Sequence, residues 1–65
     1  MKIDRLFAIT NILIDKQTVT ARELAEKFGV SVRTIYRDVD ILSTNGVPVC
    51  TLQGKGGRIS VMEGY

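Results

Sequence analysis

The sequence predicts an α+β fold of three helices followed by a two-stranded β-hairpin. Three observations predict it. Apolar residues recur at helical spacing in three successive segments before Gly46; the period changes after Pro48; and the β-branched runs beyond it are joined by Gly54-Lys55-Gly56-Gly57. With 65 residues there is room for one domain, residues 1–65, near the lower size at which a core sustains a fold unaided.

The first helix is expected from Asp4 to Asp15, with Asp4 as its N-cap. Its inward stripe is read as Leu6, Phe7, Leu13 and Ile14, joined by Ile3, which leaves Ile9 and Ile12 pointing elsewhere. Those two either meet a partner or are sandwiched within the domain. Lys16 to Val19 is polar and runs into the β-branched Thr18-Val19-Thr20, enough for a linker with one short third strand.

Thr20-Ala21-Arg22-Glu23 has the pattern of a capping box, so the second helix starts there. It runs to Phe28 with Ala21, Leu24, Ala25 and Phe28 inward, and Gly29 suits the left-handed residue that stops a helix. Ser31 caps the third helix, residues 32–45, whose buried stripe is expected to be Val32, Ile35, Val39 and Leu42. Asn45-Gly46 ends it and Pro48 bars continuation. Pro48 to Gln53 and Arg58 to Met62 then read as two strands, the glycines between them supplying positive φ for the connection.

Helix, short strand, helix, tight turn, helix, hairpin is the order of a winged helix-turn-helix. Such a unit needs a small residue where its second and third helices cross, a turn residue four positions on and a branched apolar residue further along. Ala25, Gly29 and Ile35 meet these needs. The second helix then braces the third, whose outward face can enter a DNA major groove. That outward face carries Arg33, Thr34 and Arg37. An arginine in the first turns of such a helix can bond guanine O6 and N7 together.

Ser31 is a helix cap and can also hold a phosphate at the helix N-terminus. Tyr36 lies at the edge of the buried stripe, with its hydroxyl in reach of the duplex backbone. The glycine-rich segment, residues 54–58, lacks the Lys-Ser/Thr ending of a nucleotide loop and precedes a strand. As a wing it presents Lys55 and Arg58 to a phosphate or the minor groove, against the plainer reading of a tight turn with incidental charges. Asp38 and Asp40 are too far apart round a helix for paired acid–base work, and are expected to orient Arg37 or a neighbouring arginine.

Net charge is +2 and the isoelectric point about 9.0, only mildly basic. Between Ser31 and Ser60, however, Arg33, Arg37, Lys55 and Arg58 face only Asp38 and Asp40. The chain has no histidine, so the commonest general base and metal ligand are missing; no enzyme activity, cofactor or metal is expected. Cys50 stands alone, which excludes an internal disulfide, and it reads as a small buried hydrophobe in a reducing compartment. No apolar run is long enough for a bilayer and no secretory signal opens the chain, so a cytoplasmic protein without membrane contact is expected.

Ser31-Val32-Arg33-Thr34-Ile35-Tyr36-Arg37-Asp38-Val39-Asp40, followed by Gly46-Val47-Pro48-Val49 and Gly54-Lys55-Gly56-Gly57, resembles the N-terminal winged helix of bacterial WYL-domain transcription regulators. Met1 to Leu6 and the closing Gly64-Tyr65 match the same pattern, whereas Arg58-Ile59-Ser60 departs from it, where another glycine and an aromatic are usual. The resemblance implies double-stranded DNA binding through Arg33, Thr34 and Arg37, with the wing at Lys55 and Arg58. It also implies that the chain is a fragment, lacking a C-terminal sensing region. The biotin-dependent repressors carry a similar winged module, so the class of sensing partner stays open. The alternative function is a protein-interaction or dimerisation module, with a homodimer formed through Ile9, Ile12 or Ile41 or through the missing C-terminal region.

Overall fold

The computed structural model describes residues 2–52 and 57–61, with elements in the order α1 (Lys2–Lys16), β1 (Thr18–Thr20), α2 (Ala21–Phe28), α3 (Val32–Thr44), β2 (Val49–Leu52) and β3 (Arg58–Val61). The expected winged helix-turn-helix is present: three helices against a three-stranded antiparallel sheet of order β1-β3-β2. The short third strand anticipated at Thr18–Thr20 exists. It pairs with β3, so the last strand in sequence lies in the middle, with Val19 opposite Ile59 and Thr51 opposite Ile59 on the other side. Among the described residues no helix is long and apolar enough to cross a membrane.

The core joins Ile9 and Leu13 of α1, Val19 of β1, Ala21, Leu24 and Ala25 of α2, Ile35, Val39 and Leu42 of α3, and Ile59 at the sheet centre. α1 differs from expectation in two ways. It starts at Lys2, so Asp4 sits in the first turn, favourable to the helix dipole without being the cap. Its inward stripe is Ile9 and Leu13, with Leu6 and Ile12 partly covered, while Ile3, Phe7 and Ile14 are 59%, 68% and 50% exposed. At about 100° per residue the apolar residues of α1 form two stripes, and contact with the sheet and α3 decides which one is buried. Ile9, fully buried, therefore cannot be a partner contact, and Ile12 leans on the core.

Two further expectations are corrected. Val32 is exposed, because side chains of a helix lean towards its N-terminus and the first residue of α3 overhangs the packing. Cys50 is exposed, because it lies opposite Ser60 and shares that residue's face, not the inward face of Ile59.

α2 starts as its sequence dictates. The Glu23 amide donates to Thr20 Oγ1 at 3.0 Å and the Thr20 amide donates to Glu23 Oε1 at 3.0 Å, closing the capping box. The Thr20 backbone and hydroxyl bonds hold the Glu23 carboxyl below its ordinary pKa. A carboxyl lowered in the folded state stabilises the fold fully above its unfolded pKa, about 4.3, and loses that contribution as pH falls through the lower folded value. Glu23→Gln keeps a residue type suited to the capping box while removing the titration. Urea denaturation between neutral and strongly acid pH is expected to show a steeper acid loss for the native chain than for this variant; parallel curves would contradict the assignment.

Candidate nucleic-acid interface

The outward face of α3 is built by what happens at its two ends and on its back. Gly29, at φ 68°, ends α2 in the left-handed conformation, and its amide donates to the Ala25 carbonyl. The chain reaches Ser31, whose Oγ accepts from the Thr34 amide at 3.1 Å and lies 3.0 Å from Thr34 Oγ1. Ser31 and Thr34 thus occupy each other's hydroxyls at the start of the helix. At the far end Asn45 Nδ2 donates to the Ile41 carbonyl at 2.7 Å.

On the back of α3 the buried residues are Ile35, Asp38, Val39 and Leu42. The acid takes the place in the stripe expected of Val32. Asp38 is 1% exposed and pairs with Arg5 of α1: Arg5 Nε donates to Oδ2, and Nη2 donates to Oδ1 at 3.2 Å. Arg5 lies 33 residues away along the chain, whereas Arg37 is the adjacent residue, so the expected arginine partner within or near α3 is replaced by one from α1. The Arg5 guanidinium is held above its ordinary pKa, first by its hydrogen bonds to Asp38. Sequence reasoning missed Arg5 as a functional residue. Its signal was an acid beside the apolar quadrant of α3, where a carboxylate is costly unless paired, and that signal does not say where the partner comes from.

Opposite this stripe Arg33 and Arg37 are exposed, one helical turn apart on one face, with Asp40 following. Among the described residues the ion pairs are Arg5–Asp38 and the surface pair Arg22–Glu26. Arg33 and Arg37 are therefore unneutralised there. Thr34 and Tyr36 are half-buried at the two borders of the face. Arg58 opens β3, exposed, in register with Thr20 on one side and Leu52 on the other. Lys55 and the wing residues Gly54 and Gly56 lie outside the described residues. The structure thus assembles Ser31 with Thr34 and Arg33 with Arg37, and brings Tyr36 against Gly57, the residue before Arg58.

A family model described as "HTH domain" matches residues 5–58, from Arg5 of α1 to the first residue of β3. The chain belongs to the HTH domain family. It is 54% identical over its full 65 residues to the "Uncharacterized HTH-type transcriptional regulator YobV" of Bacillus subtilis (strain 168), spanning 21% of that protein's length. It is 32% identical over 53 residues, 82% of its own length and 73% of the relative's, to "Uncharacterized HTH-type transcriptional regulator YtzE" of the same organism. No solved structure gives a significant match to the chain.

In this HTH domain the Arg5–Asp38 pair ties α3 to α1, and its two ends are unequal. The Arg5 side chain keeps 20% of its exposure while Asp38 keeps 1%. Removing the cation strands a carboxylate in the core, whereas removing the acid frees a cation able to reach water. Arg5→Met is therefore expected to lower the urea midpoint, and Asp38→Asn to lower it distinctly less. Equal losses would show that the carboxylate is better solvated than its burial implies.

Proposed function

We propose that this HTH domain binds double-stranded DNA as the reading head of a transcription regulator, with α3 in the major groove and the wing on the backbone or minor groove. One observation carries the reading: Arg33 and Arg37 stand exposed and without a carboxylate partner among the described residues, on the face of α3 turned away from the α2 brace. Two unneutralised cations on one rigid ridge match a polyanion, and the major groove, about 12 Å wide, admits a helix. Arg33, Thr34 and Arg37 read base edges in this proposal. Ser31, Arg58 and Lys55 hold phosphates and fix the docking. The relatives' printed names support regulation of transcription, and the sequence likeness to WYL-domain regulators supports placing the domain at the head of a longer protein with a sensing region of its own.

Four to six phosphate contacts would give log affinity against log salt a slope of roughly −3.5 to −5.5. Binders selected from random duplexes and titrated by fluorescence provide the test. Arg33→Ala is expected to erode discrimination between preferred and altered sites by about 1–3 kcal/mol, whereas Arg58→Ala weakens all sites alike and makes the slope shallower by about 1. The absence of any duplex binding at low salt would overturn the reading.

Self-association is a second reading, favoured by the outward stripe of α1. Ile3 and Phe7 line an apolar groove with Leu6, Ile41, Leu42 and Val47. Sedimentation of the chain at rising concentration is expected to show dimers that Phe7→Glu abolishes; a monomer throughout would exclude association by this face.

A further inference from the structure

Among the described residues, Gly57 is a point where the base of the wing touches both helices of the helix-turn-helix. Gly57 stands just before β3 at φ +60°, the left-handed region that a side chain disfavours. An ideal Cβ at Gly57 would lie 2.0 Å from the Tyr36 hydroxyl oxygen, 3.3 Å from Tyr36 Cζ and 3.9 Å from Ala21 Cβ. A side chain is thus disfavoured twice, once by backbone geometry and once by the tyrosine seated in its place. The Gly57 carbonyl also accepts from the Ala21 amide at 3.0 Å. Ala21 is the first residue of α2, and its amide is one of the helix-start donors that lack a partner within the helix. One glycine therefore touches both helices of the motif, α2 through its carbonyl and α3 through Tyr36. The next residue is Arg58, and further along β3 Ile59 is anchored in the core.

We propose that Tyr36 is a positioning residue: seated on Gly57, its ring tip fixes the start of β3, and with it Arg58, to α3, so that Arg58 and the α3 face are presented to a duplex together. The inference rests on the DNA-binding reading, and it assigns the Tyr36 hydroxyl to the wing instead of to a phosphate. Its logic is steric and reciprocal. Replacing Gly57 by alanine forces the hydroxyl and the new methyl apart and tilts the hairpin. Removing the hydroxyl leaves Cζ as the nearest tyrosine atom, a tight contact that small shifts relieve, while the strain of positive φ remains.

The test compares the full chain with Tyr36→Phe, Gly57→Ala and the double variant. Three measurements are made on each: hydrogen exchange at the Ala21 amide, urea denaturation, and duplex binding across a salt series, with affinities corrected for the folded fraction. Gly57→Ala is expected to speed Ala21 exchange, weaken binding about fivefold or more and make the salt slope shallower by about 1, as when one phosphate contact is lost. Tyr36→Phe alone leaves slope and exchange near those of the native chain. Added to Gly57→Ala it recovers part of both. A slope reduced by Tyr36→Phe alone would show that the hydroxyl meets a phosphate and would overturn the lock, as would independent, additive effects of the two substitutions on exchange and binding. If Gly57→Ala does not fold, Tyr36→Ala takes its place: faster Ala21 exchange and a shallower slope support the lock, and unchanged values refute it. Should the native chain bind no duplex, the functional reading falls while the exchange data still decide whether Tyr36 and Gly57 act together.

Discussion

A carboxylate in a protein interior is costly unless it is paired or hydrogen-bonded, and at Asp38 the pairing ties α3 to α1. The acid lies on the back of α3 among Ile35, Val39 and Leu42, where water cannot reach it, and the cation is delivered by α1. Apolar packing alone would leave the rotation of α3 loosely specified, since aliphatic side chains tolerate small slides. A two-pronged contact between a planar guanidinium and a carboxylate does not. The face opposite, with Arg33 and Arg37, is thereby aimed.

The parts of this fold that rest on neighbouring residues were legible before any coordinates. The Thr20–Glu23 box, the Gly29 stop and the Ser31 cap each depend on groups within a few positions of one another, and each is present in the structure. The brace residues Ala25 and Ile35 are both buried as their pattern required. What could not be read was anything set by distant segments. Two apolar stripes of α1 competed on equal terms until β3 arrived against one of them. The partner of Asp38 lay 33 residues away with no local mark. Cys50 was assigned by residue type to the interior, whereas its side depends on register across the sheet.

For the candidate interface the same division holds. The outward placement of Arg33 and Arg37 follows from helical period and is found in the structure. The surroundings of Tyr36 follow from the path of the hairpin, which no helical wheel contains. A tyrosine at the border of a stripe can face solvent or a neighbouring strand with the same periodicity, and only the position of Gly57 distinguishes them.

The sheet has an order with consequences for how the module comes into being. β3 is the middle strand, yet it is the last of the described elements to be synthesised, and β1, formed some forty residues earlier, can bond only to it. Until Val61 has left the ribosome, β1 and β2 have no shared neighbour, and the hydrophobic hollow that Ile59 fills stays open. The core is not closed without this strand, and such distant pairings bear their chain-closure entropy before they return any stability. A boundary drawn even a few residues short of Val61 would remove the keystone and not merely the trim.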